Sequence, residues 1–296
     1  MIGPLRSAIR SVVRGETTIW PAAICGVVVA AASLLIGSSR GNLDVDVALA
    51  SMTTFLFGVL LAFTIARTRE RIAMVQDLVS RGNASLLSLH QMAEVFPAEE
   101  RAAIRELIDC QLVDQIDYRL VDNHRSAPSH QALVTAVYAL EPRNSQQGTV
   151  YRVMVETCVD MGTNRLLIET TAGQSLSPLE WTGMLLLLFL LICLIAVLPG
   201  GTVLGAIAAG VLAGTLVTLM VLLRKLDLLR WHERVSIWEP AARLFRSMGR
   251  HPYVPRDVID HGRYRPTGTI RVVDYPDPYP DRSTKVVTVV DLGGGT

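Results

Sequence analysis

The residues of this chain that could carry out chemistry are few and scattered. The six histidines, His90, His124, His130, His232, His251 and His261, have neither the HExxH interval nor any other metal-ligand spacing, and read as surface or packed side chains. Gly293 to Gly295 lack the Lys-Ser/Thr and the following helix with which a glycine loop cradles phosphate, so they read as a flexible end. Asp44 and Asp46 do not continue into a calcium-binding loop, because the Gly and the distal Glu of such a loop are missing. Cys25, Cys110, Cys158 and Cys193 form no CxxC pair, and two of them fall in apolar runs, where a thiol acts as a small hydrophobe. Asn83-Ala-Ser85 fits a glycosylation sequon but lies on an expected cytoplasmic helix, out of reach of the modifying enzyme. The expectation is a chain that is not an enzyme and that holds no cofactor or metal.

Other side chains are spaced for physical rather than chemical work. From Thr53 to Arg71 an apolar run passes into a charged one with no turn signal between, so a single helix is expected to leave a membrane here. Thr54, Gly58, Ala62 and Ala66 recur at i+4 and lay small residues along one side, where another backbone can approach closely. Phe55, Val59 and Phe63 form the neighbouring stripe. With several copies around an axis, packing through the small stripe would bring the bulky one near the opening, as a hydrophobic constriction. From spacing alone the readier reading of the same stripe is a surface that faces lipid or packs in a bundle, since every membrane helix has such stripes.

Elements that would position these stripes follow from composition. Of the 296 residues 50% are hydrophobic, and the net charge of +1 gives no support to nucleic-acid binding. The apolar residues concentrate in two pairs of uncharged runs, each near the ~20 residues that cross a bilayer core. Residues 1–16 are expected to form an amphipathic helix with Arg6, Arg10 and Arg14 on its polar face, a membrane-surface anchor with lipid sensing as the alternative. Residues 17–66 hold the first two spans, Trp20 to Gly37 and 47 to 66. The first is expected to stay as an uncleaved anchor, a cleaved signal peptide being the competing reading.

Residues 67–176 are polar with helical spacing and should form an all-helical domain. In it Ile104, Leu107, Ile108, Leu112, Ile116 and Leu120 share one helix face, Val150, Met154, Cys158 and Met161 share another, and 122–129 and 141–145 are breaker-rich loops. Ser177-Pro-Leu-Glu180 has the pattern of a capping box with Pro at the first helical position, opening a third span from Gly183; the fourth follows the turn at Pro199 and ends at Leu223, residues 177–223 in all. Residues 224–252 are expected to be an amphipathic helix interrupted at Pro240. Residues 253–296 are expected to be an extended tail, with alternating stretches at 269–273 and 285–290 suited to a docked hairpin. Basic residues flank the spans before the first, after the second and after the fourth, so the positive-inside rule places both termini and the central domain in the cytoplasm, with the spans in an inner membrane. No carboxylate, Lys or His lies mid-span, which argues against a proton-coupled transporter.

The run from Phe55 to Arg67, continuing into a helical domain and returning through Ser177-Pro-Leu-Glu-Trp181 to a second membrane pair, resembles the bacterial bestrophin-like family of membrane proteins and, more distantly, the bestrophin channels. The resemblance covers about Asp46 to Leu223. It implies an all-α membrane protein with four spans and a cytoplasmic domain inserted between the second and third. It also implies a neck on the second span, carried residue by residue by Phe55, Val59 and Phe63, with Ala62 in place of a Gly. The charged, Trp-rich sequence that follows the neck in bestrophins has no counterpart here, and Asp274, Asp277 and Asp281 make a poor calcium clasp. The function expected is a homo-oligomeric, pentameric ion channel in the lipid bilayer, passing inorganic ions, with Asp44 and Asp46 ringing an outer mouth that favours cations. The alternative is a non-conducting scaffold or sensor whose cytoplasmic domain and tail recruit a protein partner that the sequence does not identify, and whose small stripe packs inside its own bundle.

Overall fold

The computed structural model describes residues 19–36, 43–197, 202–228, 233–260 and 268–291. The amphipathic start at 1–16, the turn at Pro199 and the glycine-rich end therefore lie outside the described residues. The chain divides into two units, 1–70 with 175–230 and 71–174 with 231–296.

In the first unit four helices pack together: α1 (Ile19–Ile36), the first part of α2 (Leu43–Ala93), α6 (Pro178–Val197) and α7 (Val203–Asp227). Apolar side chains alone would hold such helices no better than lipid does, so close backbone approach matters here. It occurs between α1 and α7. A Cβ on Gly26 would stand 2.7 Å from the Gly210 carbonyl oxygen, and one on Gly210 would stand 2.6 Å from that of Gly26. Gly214, one turn further on, faces the Ala22 carbonyl at 3.1 Å in the same sense. Phe57, Leu61, Met184, Leu188 and Leu191 fill the core beside this crossing.

The expected capping box is formed. Ser177 Oγ accepts the Glu180 N–H at 3.2 Å, and Glu180 Oε2 accepts the Ser177 N–H at 2.7 Å, so two otherwise orphaned donors are satisfied where α6 starts. Three helical stretches are long and apolar enough to cross a membrane: they lie within 47–93, within 145–197, where the apolar part is α6, and at 203–227. The described apolar stretch of α1, Pro21–Leu35, is shorter.

The second unit contains the remainder of α2, then α3 (Ala98–Asp117), a 3₁₀ turn (Leu120–Ser126), α4 (Ala127–Tyr138), α5 (Ser145–Gly173) and α8 (Glu233–Ser247). Ile104, Ile108 and Leu112 are buried on α3, with Leu107 and Ile116 partly so. Leu120 falls beyond the end of that helix. Met154, Cys158 and Met161 bury the facing stripe of α5, whose start is capped by Asn144 Oδ1 accepting the Gln147 N–H at 2.8 Å. Two expectations are corrected. The stretch 122–129 is not an open loop but the 3₁₀ turn running into α4, because Pro128 occupies the first turn, where its missing N–H costs nothing. Nor is α8 interrupted at Pro240. Interior proline costs roughly 3 kcal/mol, and burial of Ala241, Ala242, Leu244 and Phe245 in the turns that follow offsets it.

The all-α expectation describes the molecule apart from its last part, which forms a three-stranded sheet of β1 (Tyr253–Pro255), β2 (Thr269–Asp274) and β3 (Val286–Asp291), with a short helix α9 (Arg256–Asp260) after β1. β2 runs parallel to β1, with Tyr253 opposite Arg271, and antiparallel to β3, with Thr269 opposite Asp291. The period-two runs rich in Val and Ile bury Ile270 and Val272 on one side of this sheet and Val273 on the other. Polar bonds lock it to α3. Arg271 clasps Asp109 through both Nη atoms at 2.7 and 2.8 Å, and its guanidinium lies 4.9 Å from the centre of the Phe245 ring.

Candidate functional site: the open face of the second helix

Helix α2 is the element on which the stripes of the sequence meet. It is unbroken for 51 residues, about 75 Å at 1.5 Å per residue. Its four threonines in the membrane unit leave no hydroxyl unpaired: Thr53, Thr54, Thr64 and Thr68 each donate to the carbonyl four residues earlier, at 2.7–2.8 Å. A polar residue can thus lie on an apolar helix without a cost in unmade hydrogen bonds.

One face of α2 is held by its own chain. Thr53, Phe57, Leu61, Thr64 and Thr68 are buried there, at the 3–4 residue intervals of a packing seam. At 100° per residue, Phe55, Val59 and Phe63 centre about 200° around the helix from that seam, and the small stripe about 120° around. They are correspondingly open. Phe55 is 69% exposed, Val59 38% and Phe63 72%, while Thr54, Gly58, Ala62 and Ala66 are all exposed as well. A Cβ added at Gly58 would meet nothing within 4 Å. The chain therefore brings the three bulky residues onto one face about 12 Å long, counting eight residues from Phe55 to Phe63, and covers neither stripe itself. Asp44 and Asp46 lie in the first turn of α2, and their side chains are outside the described residues.

The basic end of this face is fixed electrostatically. Arg67 Nη1 donates to Glu180 Oε1 at 2.7 Å, the same carboxylate whose other oxygen caps α6. Arg71 donates to the Gln174 carbonyl. Within the first unit, Asp227 accepts the Leu176 N–H at 3.0 Å and the Trp181 Nε1–H at 3.3 Å.

Sequence patterns alone missed the buried carboxylate of Asp117. Its Oδ1 accepts the Tyr253 and Tyr275 hydroxyls at 2.8 and 2.6 Å, and its Oδ2 accepts Lys285 Nζ at 2.6 Å. Burial, then the adjacent Asp117 charge, pushes both tyrosines far above the ordinary phenol range, so they remain donors at every physiological pH. Tyr279, hydrogen-bonded to Asp122, is pushed up to about 12, chiefly by burial. This network clamps the sheet to α3. Among the described residues no cluster of His, Cys, Asp or Glu could hold a metal, and all four cysteines are free thiols.

Comparison with known proteins bears on the whole of this arrangement. The Bestrophin-like domain matches residues 19–228, which is most of the chain and includes every residue of the open face. The chain belongs to the Bestrophin-like family. It is a membrane protein of that family, and its second helix is part of the matched domain. A crystal structure described as that of a membrane protein is similar in fold, with a TM-score of 0.62 at 12% identity, over 79% of this chain and 100% of that one. No curated protein matches the chain.

Proposed function

We propose that this Bestrophin-like protein is a homo-oligomeric, pentameric ion channel whose neck is the ring of Phe55, Val59 and Phe63 contributed by α2 of each copy. The observation that carries the reading is the double exposure on α2. A small stripe that admits a neighbouring backbone stands beside a bulky apolar stripe, and the chain packs neither. Rings of bulky apolar residues gate by dewetting, which needs no ionisable group and no catalysed step. In this reading all four apolar helices cross an inner membrane, 67–176 form a cytoplasmic vestibule, and both termini are cytoplasmic. Asp44 and Asp46 would concentrate cations at the outer mouth, while Arg67, paired with Glu180, adds little net charge at the other end. The scaffold alternative requires the small stripe to pack inside its own bundle, and the exposure of Gly58 speaks against that packing.

Recording single-channel currents from purified protein in planar bilayers tests the proposal. The wild type should conduct, Phe63→Ala should conduct more by widening the neck, and a salt gradient should give a reversal potential of the sign set by cations. Absence of current in both proteins would sink the channel reading. A reversal potential of the opposite sign would overturn the role given to Asp44 and Asp46 alone.

A further inference from the structure

We propose that the second unit contains a binding site for a small hydroxycarboxylate, an organic acid that carries a hydroxyl donor beside its carboxylate. This does not depend on the channel reading. The site is a partly open cavity of about 50 Å³ lined chiefly by α2, α3, α5 and the 3₁₀ turn. At roughly 10–15 Å³ for each water-sized sphere, that space holds about three to five water-sized groups, the scale of a carboxylate on a short carbon chain.

Its lining says what the solute must be. Asn83 Nδ2 and Gln111 Oε1, both on the cavity wall, are buried and have no hydrogen-bond partner, one a donor and the other an acceptor. Buried polar groups are rarely left unmade, so a pair of opposite sense lining one small cavity asks for a ligand with both an acceptor and a donor. Gln111 is oriented by His130, whose Nδ1 lies 3.5 Å from its Nε2. Arg165 supplies the charge. Its guanidinium is largely buried and is anchored through Nη1 to the Ser126 carbonyl and hydroxyl at 3.2 and 3.0 Å and through Nη2 to the Asn123 carbonyl, with Glu169 Oε1 3.5 Å from Nε, which leaves its second Nη2 hydrogen for a ligand. Arg119 also lines the cavity, and no Asp or Glu does, so an ammonium would find no counter-charge while a carboxylate finds a guanidinium. The rest of the wall mixes apolar Leu112, Met161 and Ile168 with polar side chains such as Gln115 and Asn164, and its apolar part gives a carbon skeleton contacts that an inorganic anion could not use.

Lactate is the probe, because each of its features can be removed singly. Full-length protein in nanodiscs should melt at a higher temperature in millimolar lactate. Propionate, which lacks the hydroxyl, and lactamide, which lacks the charge, should each bind about tenfold more weakly by isothermal titration. Gln111→Met and Asn83→Leu keep the volume and remove an orphaned group. Asn83→Leu should melt no lower than wild type without ligand, Gln111→Met should lose at most the weak His130 contact, and each should bind lactate at least about tenfold more weakly. Arg165→Lys, which disturbs the Ser126 anchor, serves only as a secondary variant. The proposal is overturned if lactate does not shift wild-type melting, if propionate or sulfate shifts it equally, or if both Gln111→Met and Asn83→Leu keep the full lactate response.

Discussion

Two helices of the membrane unit carry small residues at i+4, and the chain treats them in opposite ways. On α7, Gly210 and Gly214 face α1 so closely that the missing Cβ atoms are a geometric requirement, with Gly26 completing the contact from the other side and buried Ala206 continuing the spacing. On α2, Thr54, Gly58, Ala62 and Ala66 have the same spacing and touch nothing comparable. Small-residue spacing therefore says that a helix can be approached. Whether it is approached, and by which partner, is decided elsewhere in the chain.

The contrast can be broken most forcefully at the closed crossing. Gly210→Val should separate α1 from α7 and lower stability by about 3 kcal/mol or more, because the clash is with backbone that cannot rotate away. Thermal melting in detergent measures it, and an unchanged melting temperature would refute the close crossing. The open stripe gives the sharper test. Gly58→Leu should leave the melting of the single chain within about 0.5 kcal/mol, since its Cβ meets nothing, yet should weaken self-association about tenfold or more, seen as a fall in mass by light scattering. Retention of the wild-type mass would show that the stripe faces lipid. Gly214→Ala tests the gradation within the closed stripe. Its Cβ would stand 3.1 Å from a carbonyl, so a loss near 1 kcal/mol is expected, well below that at Gly210. Smallest is Arg67→Gln at the end of α2. Arg67 is 66% exposed, so its ion pair with Glu180 should contribute less than about 0.5 kcal/mol, and a larger loss would mean that the pair is shielded by a neighbouring copy.

What could be read from the sequence divides along the same line between local and distant partners. The capping box at Ser177 and Glu180 spans four residues and forms as its pattern requires. The continuity of α2 was legible for a similar reason, since no Gly-Pro or Asn-Gly signal breaks the run from Thr53 to Arg71. The α1–α7 crossing was not legible, because Gly26 and Gly210 are far apart in sequence and each alone resembles any small residue in a span. Asp117 illustrates the same limit, as its partners lie 136 to 168 residues further along. Proline at 240 misled in the other direction, since a strong local signal was overridden by burial of the turns after it. Of the open face, spacing revealed which residues share a side. It could not reveal that the opposite side, through Phe57 and Leu61, is the one the chain uses.

Asp227 has a consequence for how the protein meets its solvent. One carboxylate at the end of α7 holds both the chain entering α6, through Leu176, and the indole of Trp181, while Glu180 in the next position takes Arg67 of α2. The ends of α6 and α7 are thus pinned to a common waterline, to which the exposed Arg67–Glu180 pair ties α2 only weakly. Sliding one of them along its neighbours to suit a thinner or thicker bilayer would break these bonds, so the bundle has a single draught, like a hull. It answers a change in membrane thickness by tilting as one body or by deforming the lipid around it.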